Sequence, residues 1–395
     1  MIEVQEIDGF EVEISGDFYE TLIFLNNIDE NVFKQKADEI ITLIGDFDFC
    51  NCLTNNRQGL INVKTGYQLP DEVIKQIENI QQVEDVIQLT PVLPIMSRKN
   101  CNVPFRTPRE MLQVASHENL QLWELALMYE SARGNISKHD VFNKMKDIVV
   151  LMKSSIETGL KGTEYKDRIL GPQAWMIEKY KKENKLIPGI LNTVIAYITS
   201  MMEVKSSMGV IVAAPTAGSC GVLPGTLIGV ATEMGFDIDD IVKAMLAAGM
   251  IGVFIAEKSG FAAEVGGCQV ECGAASGMAA AGLVQLLGGS TQQCVDAASM
   301  ALQNILGLIC DPVAERVEVP CLGKNIMAGA NAIACANMAL AGYDKVIPLD
   351  ETLVAMDEVG KMLPPELRCT GLGGLSTTET SKKIYNSLKT RLEKG

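Results

Sequence analysis

From Gly273 to Gly289 the sequence reads GAASGMAAAGLVQLLGG, with five glycines and only Ser276 and Gln285 as polar side chains. The stretch is too short and too polar to span a membrane. It reads instead as a helix packed inside protein, where Ala and Gly let neighbouring backbones approach closely. The same character extends on both sides. From Thr107 onward nearly everything has helical rhythm, including Glu110–Arg133, Lys138–Gly159 and Leu186–Met202. Hydrophobic residues make up 47% of the 395-residue chain but aromatic ones only 5%, so small side chains must build much of the core.

Residues 1–95 follow a different rhythm. Tyr19–Leu25 is β-rich, and Glu30–Ile44 carries apolar residues at helical spacing. Phe47–Leu53 and Leu60–Val63 form a hairpin pattern around the turn residues Asn55–Gly59. Pro70-Asp71-Glu72 opens a second helix, and Val83–Val92 is a last strand. The predicted fold class is therefore α+β: a βαββαβ domain at 1–95, a linker at 96–106 and a large all-helical domain at 107–395. The βαββαβ order resembles an ACT domain, which implies amino-acid effector binding or dimer formation in that part of the chain.

The formal net charge is −15, which disfavours nucleic acid and anionic membrane as partners because both need a basic footprint. The first residues, MIEVQEIDGFEVEIS, contain no basic region followed by an apolar one, so a cytoplasmic location is expected. The eleven cysteines are scattered, unlike those of a small disulfide scaffold. In a reducing compartment such thiols serve metal or redox chemistry, or simply pack as small hydrophobes.

Three of them stand in unusual surroundings. Cys268 lies in EVGGCQVECG, where glycines let backbone approach a bulky group. Cys310 and Cys321 bracket CDPVAERVEVPC, with Pro312 turning the chain after the first and Pro320 fixing it before the second. Three thiolates can hold a metal centre and leave a coordination position open for catalysis. Zinc spacings do not fit, for there is no C-x-x-C pair and no nearby histidine. Upstream, Ala214–Gly225 reads APTAGSCGVLPG. Its backbone N–H groups could cradle a carboxylate before a helix, or the segment could be a tight helix corner.

Taken in order, APTAGSCGVLPG, GGCQVECGAASGMAAAG, NILGLICDPVAERVEVPC, KNIMAGANA, ANMALAG and LPPELRCTGLGGLSTTET resemble the α subunit or domain of the iron–sulfur-dependent L-serine dehydratases, over roughly residues 110–385. The resemblance implies a [4Fe–4S] cluster on Cys268, Cys310 and Cys321, with one iron free of protein thiolate. It implies β-elimination on a small amino acid, L-serine first, giving pyruvate and ammonia, with the open iron assisting departure of the hydroxyl. L-cysteine desulfidation would use the same chemistry. Thr216, Gly218, Ser219, Lys324 and Asn325 are the candidate substrate contacts, and Lys258 and Glu264 the candidate bases. A pyridoxal-phosphate lyase using Lys258 is a rival without a convincing phosphate loop.

The chain departs from the family pattern in places that bear on function. Family members carry a β domain or subunit with a Ser-Ser-His motif, whereas this chain has only His117 and His139 and no such string. A β-type partner, or a homo-oligomer using a different base, is therefore expected. On this view the chain could equally be a non-autonomous or regulatory subunit. The usual Asn-Asn-Ala-Ser-Ile-Ser-Gly before the first cluster cysteine is here Glu257–Ala263, EKSGFAA. The cluster-reaching C-terminal cysteine of some members has no counterpart in Leu392–Gly395. Cys369 stands where a Glu is usual, and Cys50, Cys52, Cys101, Cys220, Cys294 and Cys335 read as ordinary core or surface thiols.

Overall fold

A computed structural model describes residues 4–6, 18–55, 57–90 and 102–392. The chain forms two compact units, one reaching Asn102 and including Arg133–Asn135, the other comprising residues 103–132 and 136–395. Residues 96–101 of the expected linker, and Cys101 with them, lie outside the described residues.

In the first unit the elements are β1 (Val4–Glu6), β2 (Tyr19–Asn26), α1 (Glu30–Ile44), β3 (Phe49–Asn55), β4 (Gln58–Thr65), α2 (Asp71–Glu78) and β5 (Val83–Leu89). The expected βαββαβ order is present, preceded by the short β1. The sheet runs β1-β3-β4-β2-β5 and is antiparallel except where β1 pairs parallel with β3. Strand alternation divides the side chains. Ile23, Leu25, Ile61 and Val63 join Phe33, Ala37 and Ile40 of α1 and Ile77 of α2 in the main core, while Leu22, Leu53 and Leu60 form a smaller cluster. Asp29 starts α1 by accepting the Val32 N–H at 2.9 Å.

The second unit is helical: α3 (Pro108–Glu118), α4 (Leu122–Gly134), α5 (Lys138–Lys161), α6 (Ala174–Lys182), α7 (Leu191–Ser206), α8 (Val222–Met234), α9 (Ile238–Lys258), the single turn α10 (Ala263–Gly266), α11 (Cys272–Leu286), α12 (Thr291–Gln303), α13 (Cys321–Leu340), α14 (Leu349–Met362) and α15 (Glu379–Leu392). The one helix expected over Glu110–Arg133 is two. Asn119 takes a left-handed conformation, φ 55°, and caps α3, after which Glu124 accepts the Gln121 N–H and starts α4.

Every residue of α11 is buried. It is surrounded by α8, α9, α12 and α13. Its Ala- and Gly-rich surface allows this, since each helix can lie close to it. Similar contact occurs where α8 crosses α7: a Cβ on Gly225 would stand 2.6 Å from the backbone nitrogen of Ile198. Among the described residues no helix is long and apolar enough to cross a membrane.

These contacts separate two classes of glycine. Gly225→Ala should lower stability by about 1–3 kcal/mol because backbone must move. Gly249 lies inside α9, where an added Cβ would meet nothing within 4 Å. There Gly249→Ala should raise stability by roughly 0.5–1 kcal/mol through helix propensity. Urea denaturation of both variants reads the difference, and a shift of the same sign in the two would refute the close-packing account.

Candidate metal centre

Four segments meet at the N-terminal end of α11. The first is the turn Ala217–Ser219, started by Thr216. The second is the turn Gly267–Gln269, which carries Cys268. The third is the stretch through Cys310, and the fourth is the first turn of α13, which begins at Cys321. Glycine is required at position 267, where φ is +72° and a Cβ would come within 2.9 Å of the Leu308 carbonyl.

Gln269 fastens the Cys268 turn. Its backbone N–H reaches Leu308 O at 3.1 Å, its Nε2 donates to Met356 O at 2.8 Å, and its Oε1 accepts the Gly307 N–H at 2.9 Å. Cys310 is held from the other side by a single parallel bridge to Arg368. Its N–H donates to Leu367 O at 2.8 Å, and the Cys369 N–H donates to Cys310 O at 2.9 Å.

The outcome is a group of donors in which both thiols are buried and the Glu271 carboxylate is half-buried. One ligand atom each from Cys268, Glu271 and Cys310 lies within 4.8 Å of the others. Cys321, also buried, lies close enough to feel the charge of Cys268. Hydrogen bonds from the thiols of Cys272 and Cys310 pull Cys268 down to about 4, with Lys324 helping, so Cys268 is the thiolate of the group. The same bonds hold Cys272 and Cys310 up, each as a donor to Cys268. Burial and then the Cys268 charge push Cys321 up to about 12.

Glu271 was not singled out by sequence reasoning, although it is the sole acid between the two cysteines of CQVEC. Burial raises it to about 7, opposed by the hydrogen bond from Thr216 Oγ1 to its Oε1 at 2.6 Å. Gly218 leaves room for this carboxylate, since a Cβ there would stand 2.6 Å from Glu271 Oε1. The Ser219 hydroxyl lies 3.1 Å from that of Thr216. Thr216, Gly218 and Ser219 thus cluster around Glu271, beside the thiols. Two N–H groups of this loop are already bonded, Ser219 to Thr216 Oγ1 and Gly221 to Asn325 Oδ1.

Lys324 and Asn325 brace the segments together. Lys324 Nζ donates to Asp311 Oδ1 at 2.7 Å and to Ile309 O at 2.6 Å, and stands 4.0 Å from Cys268 Sγ. Burial pulls its pKa down, but the Cys268 charge and Asp311 outweigh this and hold the ammonium protonated. Asp311, another residue without a sequence signal, also accepts the Leu375 N–H at 2.9 Å. Asn325 is fully buried, and its Nδ2 donates at 2.8 Å to both Gly218 O and Cys321 O.

The remaining candidates lie at the edge. Glu264 is exposed on α10, and its charge is felt at Glu271 and Cys369. Lys258 is exposed at the end of α9. Cys52, Cys220, Cys294 and Cys335 are buried free thiols and Cys50 is half-buried, all of them outside this donor group.

Asn325→Ala should cost about 2–3 kcal/mol in urea denaturation, because it leaves the Gly218 carbonyl and the Gly221 N–H without their partner. It should also loosen Cys321, read as faster alkylation of that thiol in mass spectrometry. Unchanged stability and unchanged labelling would contradict a bracing role.

Comparison with known proteins covers this whole region. The family model for the serine dehydratase alpha chain matches residues 117–376. A probable L-serine dehydratase alpha chain of Bacillus subtilis is 35% identical over 285 residues, covering 72% of this chain and 95% of that relative. The L-serine dehydratase alpha chain of Peptoniphilus asaccharolyticus is 39% identical over 282 residues, 70% of this chain and 96% of the relative. L-serine dehydratase 1 of Escherichia coli is 32% identical over 281 residues, but that match covers only 62% of the relative. The matched region contains all the loops and helix ends that gather the thiols around α11, and this chain belongs to the serine dehydratase alpha chain family.

Proposed function

We propose that this chain is the α-type component of an L-serine dehydratase that converts L-serine to pyruvate and ammonia, with Cys268, Cys310 and Cys321 holding a [4Fe–4S] cluster. The observation that carries the reading is the convergence of Cys268 and Cys310 beside the Thr216–Glu271 pair, with buried Cys321 at the start of α13. The donor set fits the group: thiolate sulfur is the preferred ligand of iron–sulfur clusters, and three thiolates leave one iron without a protein ligand. When bound, such a cluster supplies a Lewis acid for the leaving hydroxyl.

The chain's own residues provide the rest. Lys324 places positive charge beside Cys268 and favours its thiolate. Thr216 fixes one oxygen of Glu271, and Ser219 adds a hydroxyl facing the same space. With Gly218 between them, these groups form the surface on which a small amino acid is oriented, and Lys324 and Asn325 keep that surface against the thiols. Of the two candidate bases, Glu264 is the one assigned to take the Cα proton, since it stands on α10 next to Ala263, which packs on Cys268 and Cys310. The Cα–H electron pair forms the new double bond as the Cβ–O bond breaks, and the proton held by the base passes to the expelled hydroxide to make water. The resulting aminoacrylate tautomerises, and hydrolysis of its imine releases ammonia and pyruvate.

A β-type partner is part of this proposal. The relatives that the chain matches nearly end to end are named alpha chains, and the Escherichia coli relative extends well beyond the matched region. The βαββαβ unit lies outside the family match and is proposed as an ACT-like site for an amino-acid effector.

Anaerobically purified protein should contain about four iron and four sulfide per chain, the content of one [4Fe–4S] cluster. Cys268→Ser, Cys310→Ser and Cys321→Ser should each lose most of it. Pyruvate should form from L-serine when the β-type partner is added, and sulfide release from L-cysteine in its place would redirect the substrate assignment. Iron retained by Cys310→Ser would sink the ligand set. Glu264→Gln should keep its iron and lose about 100- to 10,000-fold in kcat if Glu264 is the base.

A further inference from the structure

Cys369 is unused by the proposed chemistry, yet it stands against a proposed ligand. It belongs to the strap that follows α14. This strap is tied to residues 310–312 by the two backbone bonds of the Cys310 bridge, by Leu375 N–H to Asp311 Oδ2 at 2.9 Å and by Ser376 Oγ to Pro312 O at 2.8 Å. Arg368 fixes the start of the strap through Leu363 O and Lys361 O. At Cys369 the backbone enters the left-handed region, φ 63°, which glycine or asparagine would adopt more readily. Its side chain packs on the cluster formed by Ala263, Cys268 and Cys310.

We propose that Cys369 is the redox partner of Cys310: in the metal-free protein the two thiols join as a disulfide, which closes the site to metal until it is reduced. Three observations support the pairing. The Cys369 side chain packs on the small cluster that contains Cys310. Cys369 directly follows Arg368, the bridged partner of Cys310, and its N–H donates to Cys310 O at 2.9 Å, so the two backbones run side by side, as a disulfide with Cα atoms roughly 4.4–6.8 Å apart requires. Cys369 is half-buried whereas Cys268, Cys272, Cys310 and Cys321 are buried, so a dissolved oxidant meets Cys369 first.

The reaction balances with a small-molecule disulfide as oxidant. The Cys369 thiolate attacks one sulfur of glutathione disulfide and expels a glutathione thiolate. The Cys310 thiolate then attacks the Cys369 sulfur of the mixed disulfide and expels the second. One S–S bond forms in the protein and one breaks in the oxidant. Two electrons pass to glutathione, and the two protein thiol protons end on its two thiols. Cys310 is thereby withdrawn from the three-thiolate set. A dithiol reductant reverses both steps.

The test uses the full chain, stripped of metal by an anaerobic chelator and exposed to glutathione disulfide. Remaining thiols are alkylated, and the protein is digested without reduction. Mass spectrometry should find a peptide pair joined through Cys310 and Cys369. Anaerobic uptake of iron and sulfide should fall by about tenfold in the oxidised sample and return after dithiothreitol, because uptake requires free thiolate. Cys369→Ser treated identically should form no such pair and should keep its iron and sulfide uptake. Cys335→Ser, altered outside the donor group, should still form the cross-link. A Cys268–Cys310 pair, or Cys310 and Cys369 both alkylated after oxidation, would overturn the proposal. The cross-link requires neither iron nor catalysis, so it stands or falls separately from serine dehydration.

Discussion

A helix with no exposed face sets the terms for the second unit. All of α11 is buried, so the four helices around it must come close enough to exclude water along its whole length. Only small side chains permit that approach. The consequence for chemistry lies at its N-terminal end. There the chain leaves the helical lattice, and the turns through Cys268, Thr216, Cys310 and Cys321 fill the space that the helix ends leave open. Cys268 and Cys310 are thus delivered to the interior by backbone outside the α-helices, whereas Cys321 opens α13.

Burying such a group has an electrostatic cost that the surrounding loops offset. An ion pair taken from water is favourable only when further hydrogen bonds satisfy both ends. Lys324 and Asp311 meet that condition, through Ile309 O on one side and the Leu375 N–H on the other. Gln269 and Asn325 do the same for the backbone, each joining segments distant in sequence. The thiol group is therefore a product of the braces around it. Lys324 shows the coupling most directly, because one ammonium both closes the loop at Asp311 and favours the Cys268 thiolate.

Much of the fold was legible from periodicity. Alternating side chains gave the βαββαβ order of the first unit, and 3.6-residue spacing gave the helices of the second. The break at Asn119 was not legible, because a left-handed cap leaves no mark on the apolar rhythm running through it. The short β1 was also missed, being a three-residue edge strand with no room for a pattern. In the site, Cys268, Cys310 and Cys321 stood out through their Gly- and Pro-bounded surroundings. Glu271 and Asp311 did not, because an acid gains meaning only from what it touches. Asn325 was marked as a substrate contact, whereas its buried amide spans the loop at Gly218 and the start of α13.

The sequence by itself determined the class of the molecule: two regions of different period, a small-residue helical core, and cysteines in contexts suited to a metal. Those properties depend on residue type and near-neighbour spacing, which are local. Tertiary structure alone decided which acid faces the thiols, which lysine charges them and which cysteine lies beside Cys310. Cys310 and Cys369 are far apart in the chain, and only a backbone bridge between two irregular segments brings them together. Hydrogen bonds and charge act over a few ångströms of space, and no pattern along the chain encodes that distance for residues joined by loops.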